Sequence, residues 1–110
     1  MSIANKREII VGYRQVRTVF RVMRLDADWM VRADDRILEF LRDEGPHPPS
    51  KMERDDRIKF GAEYIGRRCR DYLRPHGLVT NLGNGVYAIT EDGDAYLAGE
   101  LDVSQIEPRD

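Results

Sequence analysis

Apolar residues recur along the chain at helical and extended spacings, and glycine, proline and charged turns separate the stretches. Ile9, Tyr13, Val16, Phe20 and Met23 follow a 4-3-4-3 spacing that predicts a helical seam. Arg14, Arg17, Arg21 and Arg24 each fall one position after a seam residue and form a neighbouring basic stripe. The β-branched run at 16–22 points the other way, to a strand, and the seam favours a helix. A second unit begins near Trp29. Asp34 or Asp35 is placed to cap a helix that buries Ile37, Leu38, Phe40 and Leu41. Gly45 stops it, and Pro46, Pro48 and Pro49 impose a bend. Ser50 and Glu53 have capping-box spacing for a short second helix with Met52 in the core.

Ile58 and Phe60 bracket a tight turn, and a third helix follows over 62–74. At about 100° per residue, Ala62, Ile65, Cys69, Tyr72 and Leu73 share one face while Arg67, Arg70 and Arg74 lie opposite. Pro75 and Gly77 end it. Residues 78–80 and 86–89 read as two strands, and Asn84-Gly85 between them suits the positive φ angles of a type I′ turn. Thr90 is placed to cap a last helix running to Leu101, with an acidic, frayed tail beyond it. The predicted fold is mainly α with a small β-hairpin. Helix, helix, tight turn, helix and hairpin is the order of a winged helix-turn-helix. The domain reading is a basic extension at 1–24, a winged-helix domain at 25–102 and a tail at 103–110.

Charge sharpens this picture. The net charge is −2, yet residues 1–24 hold six basic side chains against Glu8 alone. The segment 57–74 holds six more against Glu63 and Asp71. Segregation of this kind matters more than the total when a partner is a polyanion. Cys69 is the single cysteine, so no intrachain disulfide and no cysteine-rich zinc site is expected. No apolar run approaches the ~20 residues of a membrane span, and the expected location is cytoplasmic.

A helix enters the major groove when one face is packed and the other carries long polar side chains. The third helix meets both demands. Tyr64 and Arg67, in its N-terminal half, are the candidates for base contact, with Arg67 suited to a guanine edge. Tyr64 can equally stack inside the protein. Glu63 can accept from a cytosine amino group, orient an arginine, or simply favour the helix start. Lys59, Arg68, Arg70 and Arg74 are expected at phosphates. The hairpin tip lacks Lys and Arg, leaving Asn84 and backbone N–H groups for a phosphate or the minor groove, or a purely structural role.

No catalytic constellation emerges. His47 and His76 are isolated, and the adjacent pairs Asp34-Asp35 and Asp55-Asp56 diverge on a helix. Gly83-Asn84-Gly85 is too short for a phosphate-cradling loop, and Cys69 falls on the buried face. Neither an enzyme, a metal nor a cofactor is expected.

Three groups of residues carry a family likeness. They are Asp28-Trp29-Met30 with Asp34 to Glu39, then Tyr64-Ile65-Gly66-Arg67-Arg68, and then Gly77-Leu78-Val79, Gly85 to Thr90 and Gly93 to Asp102. In this order the set resembles haloarchaeal winged-helix proteins related to the phage phi-H repressor. The resemblance spans about 28–102 and implies DNA binding and transcriptional control. The basic segment 1–22 lies outside it, and the pI of about 5.7 is less acidic than that of a typical high-salt protein.

The resulting expectation is a sequence-specific regulator of double-stranded DNA, acting as a homodimer on a palindromic site. The alternative is a winged-helix module whose arginine face meets an acidic protein. The N-terminal stripe has three readings: a phosphate-binding arm, a dimerisation helix, or an extension left by translation starting at Met23 or Met30. Deleting residues 1–22 is expected to leave the domain folded. Thermal unfolding of the shortened chain checks this, and loss of its cooperative transition would contradict it.

Overall fold

The structure, a computed structural model, describes residues 23–109. The predicted N-terminal seam and stripe lie outside the described residues, apart from Met23 and Arg24. The elements run α1 (Arg32–Glu44), α2 (Pro49–Met52), α3 (Ala62–Arg68), β1 (Val79–Gly83), β2 (Val86–Ile89) and α4 (Glu91–Leu97). A π-helical turn, Cys69–Leu73, continues α3, and a 3-10 turn, Val103–Gln105, follows α4. The fold is mainly helical with a small antiparallel hairpin, in the predicted order.

Helix α1 starts earlier than the sequence suggests. Val31 occupies the cap position and Asp34 is the third helical residue. The Asp34 carboxylate accepts the Val31 N–H at 3.0 Å, so it satisfies the helix start from inside rather than from the cap. Ile37, Leu38 and Leu41 are fully buried, as the spacing requires. Asp35 takes a different part: it accepts from the Tyr96 hydroxyl at 2.6 Å and from Arg24 at 3.2 Å. Arg24 also reaches Glu39 at 2.7 Å and the Leu97 carbonyl at 3.1 Å. This arginine, counted above with the basic stripe, clamps the start of the domain onto α1 and α4.

The Ser50–Glu53 capping box does not form. Pro49 is the first residue of α2, where its fixed φ suits a helix start and its missing N–H costs nothing. Glu53 instead reaches forward and accepts the Ala62 N–H at 2.7 Å, capping α3. The turn between α2 and α3 contains Lys59 at φ +59°, one of two non-glycine positive φ angles among the described residues.

Helix α3 and its π turn form one continuous stretch over the predicted 62–74. Ile65, Cys69 and Leu73 are completely buried at steps of four. Four-residue steps hold a straight seam only if each residue turns about 90°, less than the α-helical 100°. The π turn supplies that slower rotation, and Arg74 donates to the Cys69 carbonyl five residues back at 2.9 Å.

The hairpin register is Val79↔Ile89, Thr80↔Ala88, Asn81↔Tyr87 and Gly83↔Val86. Asn84 (φ +54°) and Gly85 (φ +74°) make the expected two-residue tip. Strand β1 is longer than predicted because a bulge at Leu82 lets pairing resume at Gly83. His47 exchanges two backbone hydrogen bonds of 3.1 Å with Tyr87, so the free edge of β2 is partly covered.

Thr90 caps α4 as expected, accepting the Gly93 N–H at 3.0 Å. The helix stops at Leu97, not Leu101. Gly99 (φ +78°) donates to Tyr96 and Glu100 donates to Ala95, which is a Schellman stop. The tail is not frayed. Val103 is fully buried and donates to the Leu25 carbonyl at 3.0 Å, and Arg109 donates to Pro75 at 2.8 Å. The packed unit therefore extends to 109, beyond the predicted limit of 102.

One ion pair ties α3 to α1. Arg68 places Nε 2.9 Å and Nη2 2.8 Å from the two oxygens of Asp34, which is wholly buried. Nη2 also donates to the Trp29 carbonyl at 3.1 Å, and the guanidinium lies 3.8 Å above the Tyr72 ring. Asp34→Ala is expected to cost about 3–5 kcal/mol, because it strands a buried guanidinium. Urea unfolding measures this, and a loss under about 1 kcal/mol would contradict it.

Candidate nucleic-acid interface

The predicted site residues divide into three groups in the structure. Glu63, Arg67, Arg70 and Arg74 are exposed along α3 and its π turn, opposite the buried seam of Ile65, Cys69 and Leu73. Lys59, just before the helix, is also exposed, as is Asn84 at the hairpin tip. Arg68 forms the third group alone. It is only 7% exposed and is committed to Asp34. The expectation that it contacts a phosphate is corrected: its position at the border of the face turns it inward, where a buried carboxylate awaits it.

Tyr64 is half-buried. Its ring lies 5.3 Å from Phe60 at a tilt of 36°, and the Arg67 guanidinium sits 5.6 Å from the ring centre. The tyrosine thus stacks on Phe60 and lies under the Arg67 guanidinium. Arg67, Arg74 and Lys59 have no carboxylate within 4.0 Å among the described residues, so their charges are uncompensated by close partners. Arg70 differs, forking onto Asp71 at 2.9 and 3.2 Å. That hydrogen-bonded pairing raises the Arg70 guanidinium and holds the Asp71 carboxyl below its ordinary range. Both groups are exposed, so the pair is weak and can open for a competing anion.

The hairpin base sits beside this face. Burial pushes the Tyr87 phenol up, while the neighbouring charges of Arg70 and Arg74 act in the opposite direction. The apolar Leu82 is 60% exposed on the bulge near the tip, a feature the sequence reading passed over. The stretch 75–90, which holds the hairpin, contains no Lys, Arg, Asp or Glu.

Other candidate chemistry is accounted for structurally. His76 stacks on Trp29 at 4.2 Å and its Nδ1 lies 2.7 Å from the Tyr72 carbonyl. His47 packs edge-on against Phe40 at 5.0 Å. Among the described residues, no three His, Cys, Asp or Glu side chains cluster to hold a metal. No helix among them is long and apolar enough to cross a membrane.

A family model described as a winged helix-turn-helix phage repressor matches residues 23–109, the whole packed unit. The chain belongs to the winged helix-turn-helix phage repressor family. A curated relative, a repressor protein of Halobacterium phage phiH, is 34% identical over 87 residues, covering 73% of this chain and 92% of that protein. The solved PhiH1 repressor-like protein from Haloarcula marismortui is 41% identical with a TM-score of 0.74. It is matched over 80% of this chain and 99% of its own. The family and the fold expected from the ordered motifs are both borne out. The repressor family match ends where the docked tail ends, at Arg109, which agrees with the packing of Val103 and Ile106 against the core.

Cys69 lies on the buried side of this stretch, away from the exposed arginines. Burial pushes its thiol up to about 12, leaving almost no thiolate near neutrality. Iodoacetamide at pH 8 is expected to alkylate it at least about a hundredfold more slowly in the native protein than in urea. Labelling at the free-thiol rate, followed by mass spectrometry, would contradict the buried placement.

Proposed function

We propose that this member of the phage repressor family binds double-stranded DNA sequence-specifically and represses transcription, with α3 in the major groove. The observation that carries the reading is the helix itself. One side is sealed into the core by Ile65, Cys69 and Leu73, and the other offers Arg67, Arg70 and Arg74 to solvent. Residues 23–109 hold thirteen basic against eighteen acidic side chains, so this basic face stands out against an acidic body. Acids on the remaining surface repel a duplex and favour approach by this one side.

The parts take distinct roles. Arg67, braced by Tyr64, reaches a base edge, and its two-pronged donor set suits guanine. Arg70 and Arg74 hold phosphates along the groove wall, and Asn84 brings the hairpin tip to the backbone. Glu63 lies at the helix start, where it either orients Arg67 or meets a cytosine amino group. The protein acts by occupying a site and not by catalysis. A homodimer on a palindrome is the natural assembly, since each helix reads only a few base pairs.

A salt series with a preferred duplex tests the reading. With Lys59, Arg70 and Arg74 at phosphates, the slope of log K against log salt is expected at about −3 per protomer. A slope near zero would overturn DNA binding. Arg67→Ala is expected to cost about 1–3 kcal/mol on the preferred site and to relax selection at one base pair. Selection from random duplexes reads this directly, and equal losses on preferred and scrambled DNA would reassign Arg67 to the backbone.

A further inference from the structure

A second group of cations lies outside the predicted site. A cleft of about 260 Å³ separates the start of α1 from the turn before α3, and Arg32, Arg36, Arg57 and Lys59 line it around Asp56 and Phe60. Two of the four are already neutralised. Arg36 pairs with Glu39 at 3.0 Å, and Arg57 lies 2.8, 3.3 and 3.2 Å from Asp55, Asp43 and Glu44. Arg32 and Lys59 are both exposed and have no carboxylate within 4.0 Å among the described residues.

Each occupies a position its residue type does not favour. Arg32 is the first residue of the thirteen-residue α1, where the helix dipole opposes a cation. Lys59 adopts φ +59°, a conformation that glycine or asparagine takes at lower cost. An anion in the cleft is attracted by the two side chains together, and it offsets the unfavourable placing of the Arg32 charge at the start of α1. Phe60, in the same cleft, packs on Tyr64 one turn into α3, so the cleft is continuous with the N-terminal end of the arginine face.

We propose that Arg32 joins Lys59 to hold a backbone phosphate of the bound duplex, at the end of α3 remote from Arg74. This rests on the reading of α3 as the groove-binding helix, and it adds a contact from α1 that carries no sequence information. It fixes how far the helix start advances into the groove, as Arg70 and Arg74 fix its other end.

The test uses the full chain with Arg32→Gln, Lys59→Asn and both together. Asparagine keeps the positive φ, and both sites are exposed, so unchanged thermal unfolding controls for the fold. The double variant is expected to reduce the salt slope by about 0.9, the share of one phosphate, and each single variant by part of that, with equal loss on preferred and scrambled duplexes. A double variant that keeps the unmodified slope overturns the cleft assignment alone. A loss confined to the preferred duplex also overturns it. An unmodified chain that binds no duplex overturns both this assignment and the function it rests on.

Discussion

The contact between Asp34 and Arg68 sets the geometry on which the rest depends. Asp34 accepts the Val31 N–H at the start of α1 and two guanidinium N–H groups from α3, so one carboxylate serves a helix start and an interhelical brace. Taking two charges out of water is costly, and only complete hydrogen bonding offsets it. Trp29 supplies a further acceptor and Tyr72 an electron-rich face, so the guanidinium is bonded from the side and covered from above. A pair of this kind adds little net stability compared with an apolar substitute. It has one low-energy arrangement, and that arrangement fixes the roll of α3 about its own axis.

The roll of α3 decides which arginines face outward. With Arg68 turned to Asp34 and the Ile65–Cys69–Leu73 seam in the core, Arg67, Arg70 and Arg74 must project away from the body. The π turn keeps the seam straight through Leu73, so Arg70 and Arg74 stay near the same side as Arg67. Arg24, Asp35, Glu39 and Tyr96 brace the opposite side of α1 and hold α4 against it. Two polar networks, one on each side of α1, thus brace α3 and α4 against a small core.

Much of this was legible in the residues. Periodicity located α1 and the stretch 62–74, Asn84-Gly85 marked the hairpin tip, and Thr90 marked the start of α4. What failed had local causes. Asp34 looks like a cap because acids favour helix starts, but whether it sits at the cap or three residues further in, still within the first turn, depends on where the chain enters the helix. Glu53 has the spacing to bond its own helix, yet the fold brings Ala62 closer to its carboxylate. Arg68 is indistinguishable in sequence from its neighbours, because a border position on a helix can turn either way until a partner is known. The tail looked polar and frayed, since Val103 and Ile106 are single apolar residues with no periodicity to announce them. Lys59 was expected at a phosphate and Arg32 was not singled out, because only the folded chain brings residues so distant in sequence to one cleft.

Nitrogen-15 NMR of the arginine side chains during titration with a preferred duplex tests most directly the claim that one arginine frames the domain while its neighbours meet DNA. Large Nε–H shifts are expected for Arg67 and Arg74, with Arg68 unmoved and slow to exchange in both states. A shift of Arg68 on binding, with Arg67 and Arg74 silent, would contradict it.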